Sequence, residues 1–474
     1  MKFDYARNDE QGNKFESRNP ARPDECVGRY SEVTDRVVVD GMIEKARRAQ
    51  AEWAKVPGVQ RGDLLNSYLI TVEQNVDRIA ESITLEQGKT IVESRNEILK
   101  GCAEGRFIAS EAARQQVQTI ASARSDVRNL ILHRPRGTIF AICPWNFPAM
   151  TPLRKLCPAI AFGNAMLIKP SQFTPAAAFM LAEIAEDFFP EGLLQVMPCP
   201  GRMASELVAS ARFDGVSFTG SVEIGRKVAE AAATSLVPAQ LELGGKNAVI
   251  INDVIDLDSC LDQVFAASFQ TSGQRCTSIS RVIVKRDLHS AVVDGLAARV
   301  RKLSLGDGMA AGTGMGPLCH QEHWQSVRDM TAKAITEGAE LIVGGDIDVL
   351  ETCPGGYFYK ATILNNADRS PTASREEIFG PVLSIMSYDS FDQALKLLNS
   401  TRFGLTSSLF SDSHCLIQRF LQESQHGMLH VNNGTVPDVN MPFGGMKSSG
   451  VGSYSVGASV AAFYTVEQSA YLAW

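Results

Sequence analysis

One of the ten cysteines stands in a sequence that suits a nucleophile. Cys276 lies in the stretch SGQRCTS, where Gly273 permits an unusual turn and Arg275 places a positive charge beside the sulfur. A neighbouring cation favours the thiolate, the nucleophilic form of cysteine. The alternative is a buried structural thiol. No two cysteines form a C-x-x-C pair, which removes the usual zinc and redox motifs.

A carboxylate suited to general-base chemistry is Glu242, which stands in the turn LELGGKN. The turn is otherwise apolar and glycine-rich, and burial there would raise the pKa of the carboxyl group. A raised pKa suits a residue that accepts a proton near neutral pH. The competing interpretation is a buried structural ion pair with Lys246.

Three predicted strands, 138–142, 165–168 and 216–218, each end in polar residues. In an open parallel sheet, ligands bind beyond the carboxyl ends of the strands. Ser221 is placed as the N-cap of a helix, whose start can bind an anion such as a pyrophosphate. The chain has no G-x-G-x-x-G sequence, so ordinary strand-to-helix turns are an equal alternative.

The elements that position these residues alternate between strand and helix from Gly137 onward. Helices are predicted over 176–187 and 222–233, and a second block has strands near 281–284 and 341–343. This rhythm predicts parallel sheets covered on both faces, arranged as two stacked α/β domains.

The N-terminal third is predicted to open with helices. Apolar residues from Leu69 to Ile83 recur at spacings of three and four, and Gly88 ends the pattern. The sequence Gly88-Lys89-Thr90 is interpreted as a helix exit rather than a phosphate-binding loop.

Two distant segments, 117–136 and 461–472, read as strands that pair into a small accessory sheet. Such a sheet has open edges, and a second subunit is the natural cover.

Composition excludes several classes of protein. The chain has 474 residues, with 46 Lys plus Arg against 53 Asp plus Glu and a net charge of −7, so a dedicated nucleic-acid binder is not expected. The longest uncharged run, 137–153, is interrupted by prolines and does not predict a membrane span. The N-terminus lacks a signal-peptide core, and we expect a cytoplasmic protein. His320 and His323 have no third ligand pattern nearby, which predicts a solvated helix face and no metal site.

Six stretches together resemble the aldehyde dehydrogenase superfamily, in the order of that family and over essentially the whole chain. They are PWNFP from 144, FTGS from 218, ELGGKN from 242, GQRCTS from 273, EEIFGPV from 376 and PFGGMKSSG from 442. The resemblance implies an α/β fold of two stacked Rossmann-like parallel-sheet domains with a small bridging β element.

The resemblance also implies domain boundaries. The cofactor-binding domain would comprise residues 1–116 and 137–243, and the catalytic domain residues 244–455. Residues 117–136 and 456–474 would form the bridging element, which in this family supports a homodimer or a homotetramer.

In catalytic terms, the resemblance implies that Cys276 attacks the aldehyde carbonyl to give a thiohemiacetal. Asn146, with the backbone N–H of Cys276, would hold the oxyanion. Hydride transfer to NAD or NADP would leave a thioester, and Glu242 would activate the water that releases the acid. Relatives that transfer the acyl group to coenzyme A lack this glutamate, so hydrolysis is expected here.

Cofactor contacts follow from the same resemblance. Lys169 is expected to contact the ribose and a phosphate, Gly220 and Ser221 to form the pyrophosphate turn, and Glu377 and Phe379 to position the nicotinamide ribose and ring. The remaining expected cofactor contacts are Trp145, Leu243 and Gln172.

Gln172 bears on the choice between NAD and NADP. NAD-preferring relatives often carry glutamate at this position, where it repels a 2′-phosphate. A neutral amide removes that repulsion, so we expect both cofactors to be used.

Two arginines indicate the substrate class. Arg154 and Arg275 are expected at one pocket with Phe147 and Phe443, and guanidinium groups suit a carboxylate, phosphate or sulfonate. Each arginine alone is compatible with a structural ion pair. The closing sequence FYT from 463 looks like members that oxidise dicarboxylic semialdehydes, so succinate and 2-oxoglutarate semialdehydes lead.

The alternatives are neutral aldehydes, sulfonated or phosphorylated aldehydes, a thiol esterase without nucleotide, and a non-catalytic scaffold. The presence of Cys276, Glu242 and Asn146 disfavours the scaffold.

Overall fold

The computed structural model describes residues 2–5, 13–114, 117–347 and 350–474. The strands are β1 (Phe3–Tyr5), β2 (Lys14–Asn19), β3 (Arg22–Ser31), β4 (Gln118–Ile120), β5 (Val127–Pro135), β6 (Thr138–Ile142), β7 (Ala165–Lys169), β8 (Leu194–Val196), β9 (Gly215–Thr219), β10 (Ala239–Glu242), β11 (Asn247–Ile251), β12 (Ile279–Lys285), β13 (Glu340–Val343), β14 (Thr362–Asn365), β15 (Val382–Tyr388), β16 (Phe403–Gly404), β17 (Thr406–Phe410), β18 (Met428–Val431), β19 (Met446–Lys447), β20 (Gly450–Val451) and β21 (Thr465–Ala473). The α-helices are α1 (Arg36–Trp53), α2 (Gly58–Gln74), α3 (Val76–Gln87), α4 (Ile91–Ala112), α5 (Met150–Ala161), α6 (Ala176–Ala185), α7 (Gly201–Ala209), α8 (Val222–Thr234), α9 (Leu257–Phe269), α10 (His289–Arg301), α11 (Gln321–Thr336), α12 (Pro371–Arg375), α13 (Phe391–Asn399), α14 (His414–Glu423) and α15 (Ala461–Tyr464).

The N-terminal third opens with a three-stranded sheet, β1-β3-β2, so the expectation of helices from the start is wrong. These strands are rich in charged residues, and the buried positions of β2 carry the polar Ser17 and Asn19, so the apolar alternation that marks a strand is absent. The apolar pattern from Leu69 to Ile83 is shared between α2 and α3, which meet at Asn75. Gly88 ends α3 with a φ of 96°, which confirms the predicted helix exit.

The first large sheet has six strands in the order β20-β10-β9-β6-β7-β8. All neighbours are parallel except the β20–β10 pair. Its strands β6, β7 and β9 confirm the three predicted strands, and α6 and α8 confirm the predicted helices within two residues at their ends. The carboxyl ends of β6, β9 and β10 therefore meet at one edge.

The second large sheet has seven strands in the order β13-β14-β15-β12-β11-β17-β18. Its interior strand β11 is buried at every position, as expected for a sheet with both faces covered. The short loop from Glu242 to Asn247 leads from one sheet into the other. The α/β fold with two parallel-strand sheets is confirmed, while the exact domain boundaries stay a prediction.

The two distant segments do form a small sheet, in the order β21-β5-β4. Thr465 pairs with Pro135 and Ala473 with Val127, antiparallel along the whole of β5. The predicted strand began too early, because residues 461–464 form the helical turn α15. Tyr471 and Trp474 leave 69% and 79% of their surfaces exposed on this sheet.

Candidate active site

A cavity of about 720 Å³ lies where the carboxyl ends of β6, β9 and β10 face loops of the second sheet. It collects every predicted site residue except Lys169 and Gln172, namely Cys276, Glu242, Asn146, Trp145, Gly220, Ser221, Leu243, Glu377, Phe379, Arg154, Arg275, Phe147 and Phe443. Lys169 is half-buried at the end of β7, with its amine 3.3 Å from the Pro170 carbonyl, and Gln172 is exposed.

Cys276 follows a tight turn at the end of α9. Thr271 and Ser272 adopt φ angles of 55° and 56°, a left-handed geometry that costs energy for residues other than glycine. The carbonyl of Cys276 accepts a hydrogen bond from the Asn247 side chain at 2.7 Å, which ties the turn to β11. The backbone around the sulfur is therefore fixed.

The protonation state of Cys276 differs from the expectation. Burial raises the pKa of the thiol to about 11 and outweighs the charges of Arg154 and Arg275, which lower it, while Glu242 raises it further. Arg275 does lower the pKa of Cys276, as predicted, but burial raises this pKa by more, so the prediction of a thiolate is wrong. The resting group is a thiol and needs a base during attack.

Asn146 is buried beside the nucleophile turn. Its side-chain nitrogen donates to the Gln274 carbonyl at 2.9 Å, which leaves the second N–H of the amide for a ligand. Its backbone carbonyl accepts from Lys89 Nζ at 2.7 Å. Hydrogen bonds therefore fix both the side-chain amide and the backbone carbonyl of Asn146.

Lys89 and Glu97 form a pair beneath the Asn146 loop that sequence reasoning missed. Their charged atoms lie 2.6 Å apart, and both side chains are almost fully buried. The other Glu97 oxygen accepts from the backbone N–H groups of Ala149 and Met150 at 2.9 and 3.0 Å, at the start of α5. Lys89 lies in the sequence Gly88-Lys89-Thr90, but no local pattern links this lysine to Asn146, which is 57 residues away.

Glu242 ends β10 and is buried, with one carboxylate oxygen lacking a hydrogen-bond partner. Burial raises its pKa to about 8, although Lys155, Arg154 and Ser455 lower it. The expected burial and raised pKa are confirmed. The competing ion pair does not form, because the Lys246 amine is buried without a hydrogen-bond partner.

The two predicted substrate arginines are placed differently. Arg154 makes a bidentate pair with Glu104 at 2.6 and 2.7 Å and stacks over the Phe443 ring at 4.3 Å. Arg275 instead donates to neutral partners, at 2.6 Å to Gln270 and 3.4 Å to the Thr277 hydroxyl. Arg154 is therefore largely compensated within the protein, and Arg275 is not.

The cofactor end of the cavity is built around the start of α8. Ser221 caps this helix by accepting from the Ile224 N–H at 3.3 Å, so the helix start faces the cavity as an anion site. Glu377 accepts a hydrogen bond from the Gly245 N–H at 2.8 Å. Its carboxylate lies so close to Gly244 that a side chain at position 244 would displace it. Burial raises the pKa of Glu377 to about 7. This donor set fits a nicotinamide dinucleotide.

An aromatic cluster closes the same end, and it corrects the interpretation of the two histidines. His320 and His323 line the cavity rather than a solvated face, and both pack against Trp145. His323 bonds the Phe379 carbonyl at 2.9 Å, where Phe379 has a φ of 57°. Burial lowers the pKa of His323 to about 4, so the ring is neutral.

Other features can be stated for residues 2–5, 13–114, 117–347 and 350–474. Within them no group of three or more His, Cys, Asp or Glu side chains is arranged to hold a metal ion. No helix there is long and apolar enough to cross a membrane. All ten cysteines are free, and seven of them are buried.

The fold and the cavity together fit an enzyme of the nucleotide-dependent class, with the Cys276 thiol in the cavity wall. Residues 6–469 match the model of the aldehyde dehydrogenase family, and the chain belongs to this family. It is 31% identical to an alpha-ketoglutaric semialdehyde dehydrogenase of Bacillus subtilis, over 98% of this chain and 95% of the relative.

Further similarities agree with this assignment. The chain is 32% identical to the NADP(+) succinate-semialdehyde dehydrogenase of Escherichia coli, over 86% of this chain and 85% of the relative. The crystal structure of a betaine aldehyde dehydrogenase of Staphylococcus aureus in complex with NAD+ superposes with a TM-score of 0.93 at 29% identity, covering 97% and 91% of the two chains.

Proposed function

We propose that this enzyme oxidises a short semialdehyde, with an anionic group at the far end, to the carboxylic acid, using NAD or NADP. The observation that carries the proposal is the single cavity that joins the half-buried Cys276 to the base Glu242 and to the helix start at Ser221. The names of the similar enzymes from Bacillus subtilis and Escherichia coli support the semialdehyde class.

In the first step, the Cys276 sulfur bonds to the aldehyde carbon and its proton passes to the Glu242 carboxylate. Burial raises the pKa of the Glu242 carboxyl group to about 8, which makes its carboxylate a stronger base. The higher pKa of the Cys276 thiol, about 11, opposes the transfer, so the proton moves as the new C–S bond forms. The oxyanion accepts hydrogen bonds from the free N–H of the Asn146 amide and from the Cys276 backbone.

The second step breaks the C–H bond and leaves a thioester on Cys276. The nicotinamide, when bound, supplies the hydride acceptor. Glu242 gives its proton to solvent and then removes a proton from the water that attacks the thioester. The acid leaves, and the returning thiolate takes that proton back.

The decisive assay follows absorbance of reduced nicotinamide with a panel of aldehydes, for the native protein and Cys276→Ala. Cofactor-dependent turnover of semialdehyde acids that disappears in the variant supports the proposal. Turnover that survives in Cys276→Ala, or ester hydrolysis without any dehydrogenase activity, would refute it.

Use of both cofactors rests on Gln172, which is neutral and exposed where a carboxylate would repel a 2′-phosphate. The similar enzymes support both, since one is named for NADP and another was crystallised with NAD+. Steady-state kinetics provide the test, and a kcat/KM for NADP hundreds of times below that for NAD would contradict it.

We also infer assembly into a homodimer or homotetramer through the β21-β5-β4 sheet, in the cytoplasm. The exposed Tyr471 and Trp474 support the interface, because large aromatic side chains commonly anchor such contacts. Ten free cysteines support a reducing compartment. Light scattering that finds a monomer at micromolar concentration would refute the interface.

A further inference from the structure

Resting on the proposed function, the structure assigns the anion-binding role to a residue outside the six family-like motifs. We propose that Lys100 of α4, together with Arg275, binds a carboxylate at the far end of the substrate. Arg154 is a third cation of the same pocket wall, and it is already paired with Glu104. Lys100, Arg275 and Arg154 all line the cavity that contains Cys276.

Arg154 is poorly available to a ligand. Both of its hydrogen bonds to Glu104 are short, and the two side chains are only 12% and 3% exposed. The guanidinium also packs on Phe443. The Glu104 carboxylate occupies the Nε and Nη2 side of the guanidinium, so only the Nη1 edge remains for a ligand, and the charge of Arg154 is already balanced.

Lys100 and Arg275 are in the opposite situation. The Lys100 amine donates to the Pro437 carbonyl at 2.8 Å, and Arg275 bonds the neutral oxygens of Gln270 and Thr277. In the part of the chain that the structure describes, no carboxylate lies within ion-pair distance of either cation. A partly buried cation without an anionic partner is unfavourable, and a bound carboxylate would remove that cost.

The charges around Lys100 support the same assignment. Burial is the main reason that the pKa of Lys100 is lowered to about 8. Repulsion from Arg154 and Arg275 also lowers this pKa, and it outweighs the attraction of Glu104 and Asp438, which raises it. These four groups come from α4, α5, the nucleophile turn and the loop after β18. His430 of β18 also faces Lys100, since burial and then the charge of Lys100 lower its pKa. At the Lys100 amine, repulsion from the two arginines therefore exceeds the attraction of Glu104 and Asp438.

The position of Lys100 on α4 fits a role in recognition. Glu97, almost one helical turn earlier, faces the Asn146 loop and lines the same cavity. Lys100, three residues further along α4, lines this cavity too. Its bond to Pro437 also joins α4 to the loop after β18, whose residues Val436 and Pro437 line the same cavity.

The test compares the native protein with Lys100→Met and Lys100→Arg. Steady-state kcat and KM are measured for succinate semialdehyde and for butanal, a neutral aldehyde of the same length, at saturating cofactor and pH 7. Loss of one charge-assisted hydrogen bond should raise the KM ratio of the acid to the neutral aldehyde by about 10- to 100-fold in Lys100→Met. Lys100→Arg should return the ratio to within about threefold of the native value.

A second readout needs no turnover. Binding of succinate to the Cys276→Ala protein, measured by calorimetry, should weaken by a similar factor when Lys100→Met is added. In the native protein the KM ratio should also rise between pH 7 and pH 9, because Lys100 loses its proton there, and Lys100→Arg should abolish that rise.

The outcomes separate this assignment from the proposed function. If the native protein does not prefer succinate semialdehyde to butanal, the anionic substrate class itself fails. If the preference is present but Lys100→Met changes both KM values equally, or neither, the role of Lys100 is overturned. A native preference for phosphorylated or sulfonated aldehydes over carboxylates overturns the choice of a carboxylate.

Discussion

Replacing Lys89 with methionine removes the cation beneath the Asn146 loop while keeping an apolar side chain of similar length. Glu97 would then remain buried, with two backbone N–H groups but no positive partner. Breaking a buried ion pair by removing one member costs about 3–5 kcal/mol. Because the pair here is 0% and 1% exposed, solvent does not screen this loss. The free energy of unfolding in urea should fall by about that amount.

The same substitution should reduce kcat. The Asn146 carbonyl loses the hydrogen bond from Lys89, and its amide then points less accurately at the oxyanion. Complete loss of an oxyanion donor costs about 10²- to 10³-fold in kcat. A displaced donor should cost less, so we expect a fall in kcat of about tenfold with little change in KM for either substrate.

The matched control is the double variant Lys89→Met/Glu97→Gln, which removes both charges. It should recover part of the lost stability but not the lost kcat, because the Asn146 carbonyl still lacks its donor. The reasoning fails if folded Lys89→Met keeps native kcat. It also fails if the stability losses of the two single substitutions simply add.

Three other perturbations test separate parts of the site. Because the pKa of Glu242 is raised to about 8, the carboxylate that activates water forms only as the pH rises through that value, so thioester hydrolysis should speed up between pH 7 and 9. The rate of acid release in a single turnover measures this step. In Glu242→Gln that rate should fall and should no longer depend on pH. Gln172→Glu should lower kcat/KM for NADP relative to NAD by about tenfold or more, and an unchanged ratio would show that this side chain does not approach the 2′-phosphate. Arg154→Leu leaves Glu104 buried and unpaired, so the free energy of unfolding, measured in urea, should fall by about 3–5 kcal/mol. In the same variant, the KM ratio of the acid to the neutral aldehyde should change less than in Lys100→Met.

The sequence predicted the elements that have a strong local pattern. β6, β7 and β9 are short apolar runs followed by polar turns, and the same turns carry Asn146 and Ser221 into the cavity. The N-terminal sheet was missed because its strands are rich in charged residues.

The features of the site that the sequence could not reveal come from contacts that no local pattern encodes. Glu104 neutralises Arg154 from a helix 50 residues earlier in the chain. Burial, which sequence spacing does not reveal, reversed the expected ionisation of Cys276 and turned His323 into a neutral packing residue. Lys100 lies in α4, outside the six motifs, and only the three-dimensional structure places it on the cavity wall.

The most direct test of the account is to trap the thioester. The native protein is mixed with succinate semialdehyde and NAD or NADP, quenched in acid during the first turnover, digested and examined by mass spectrometry. The account predicts that the peptide containing Cys276 carries a succinyl group, and that the other nine cysteines do not. An unmodified Cys276 peptide alongside reduced cofactor, or the acyl group on a different residue, would contradict it.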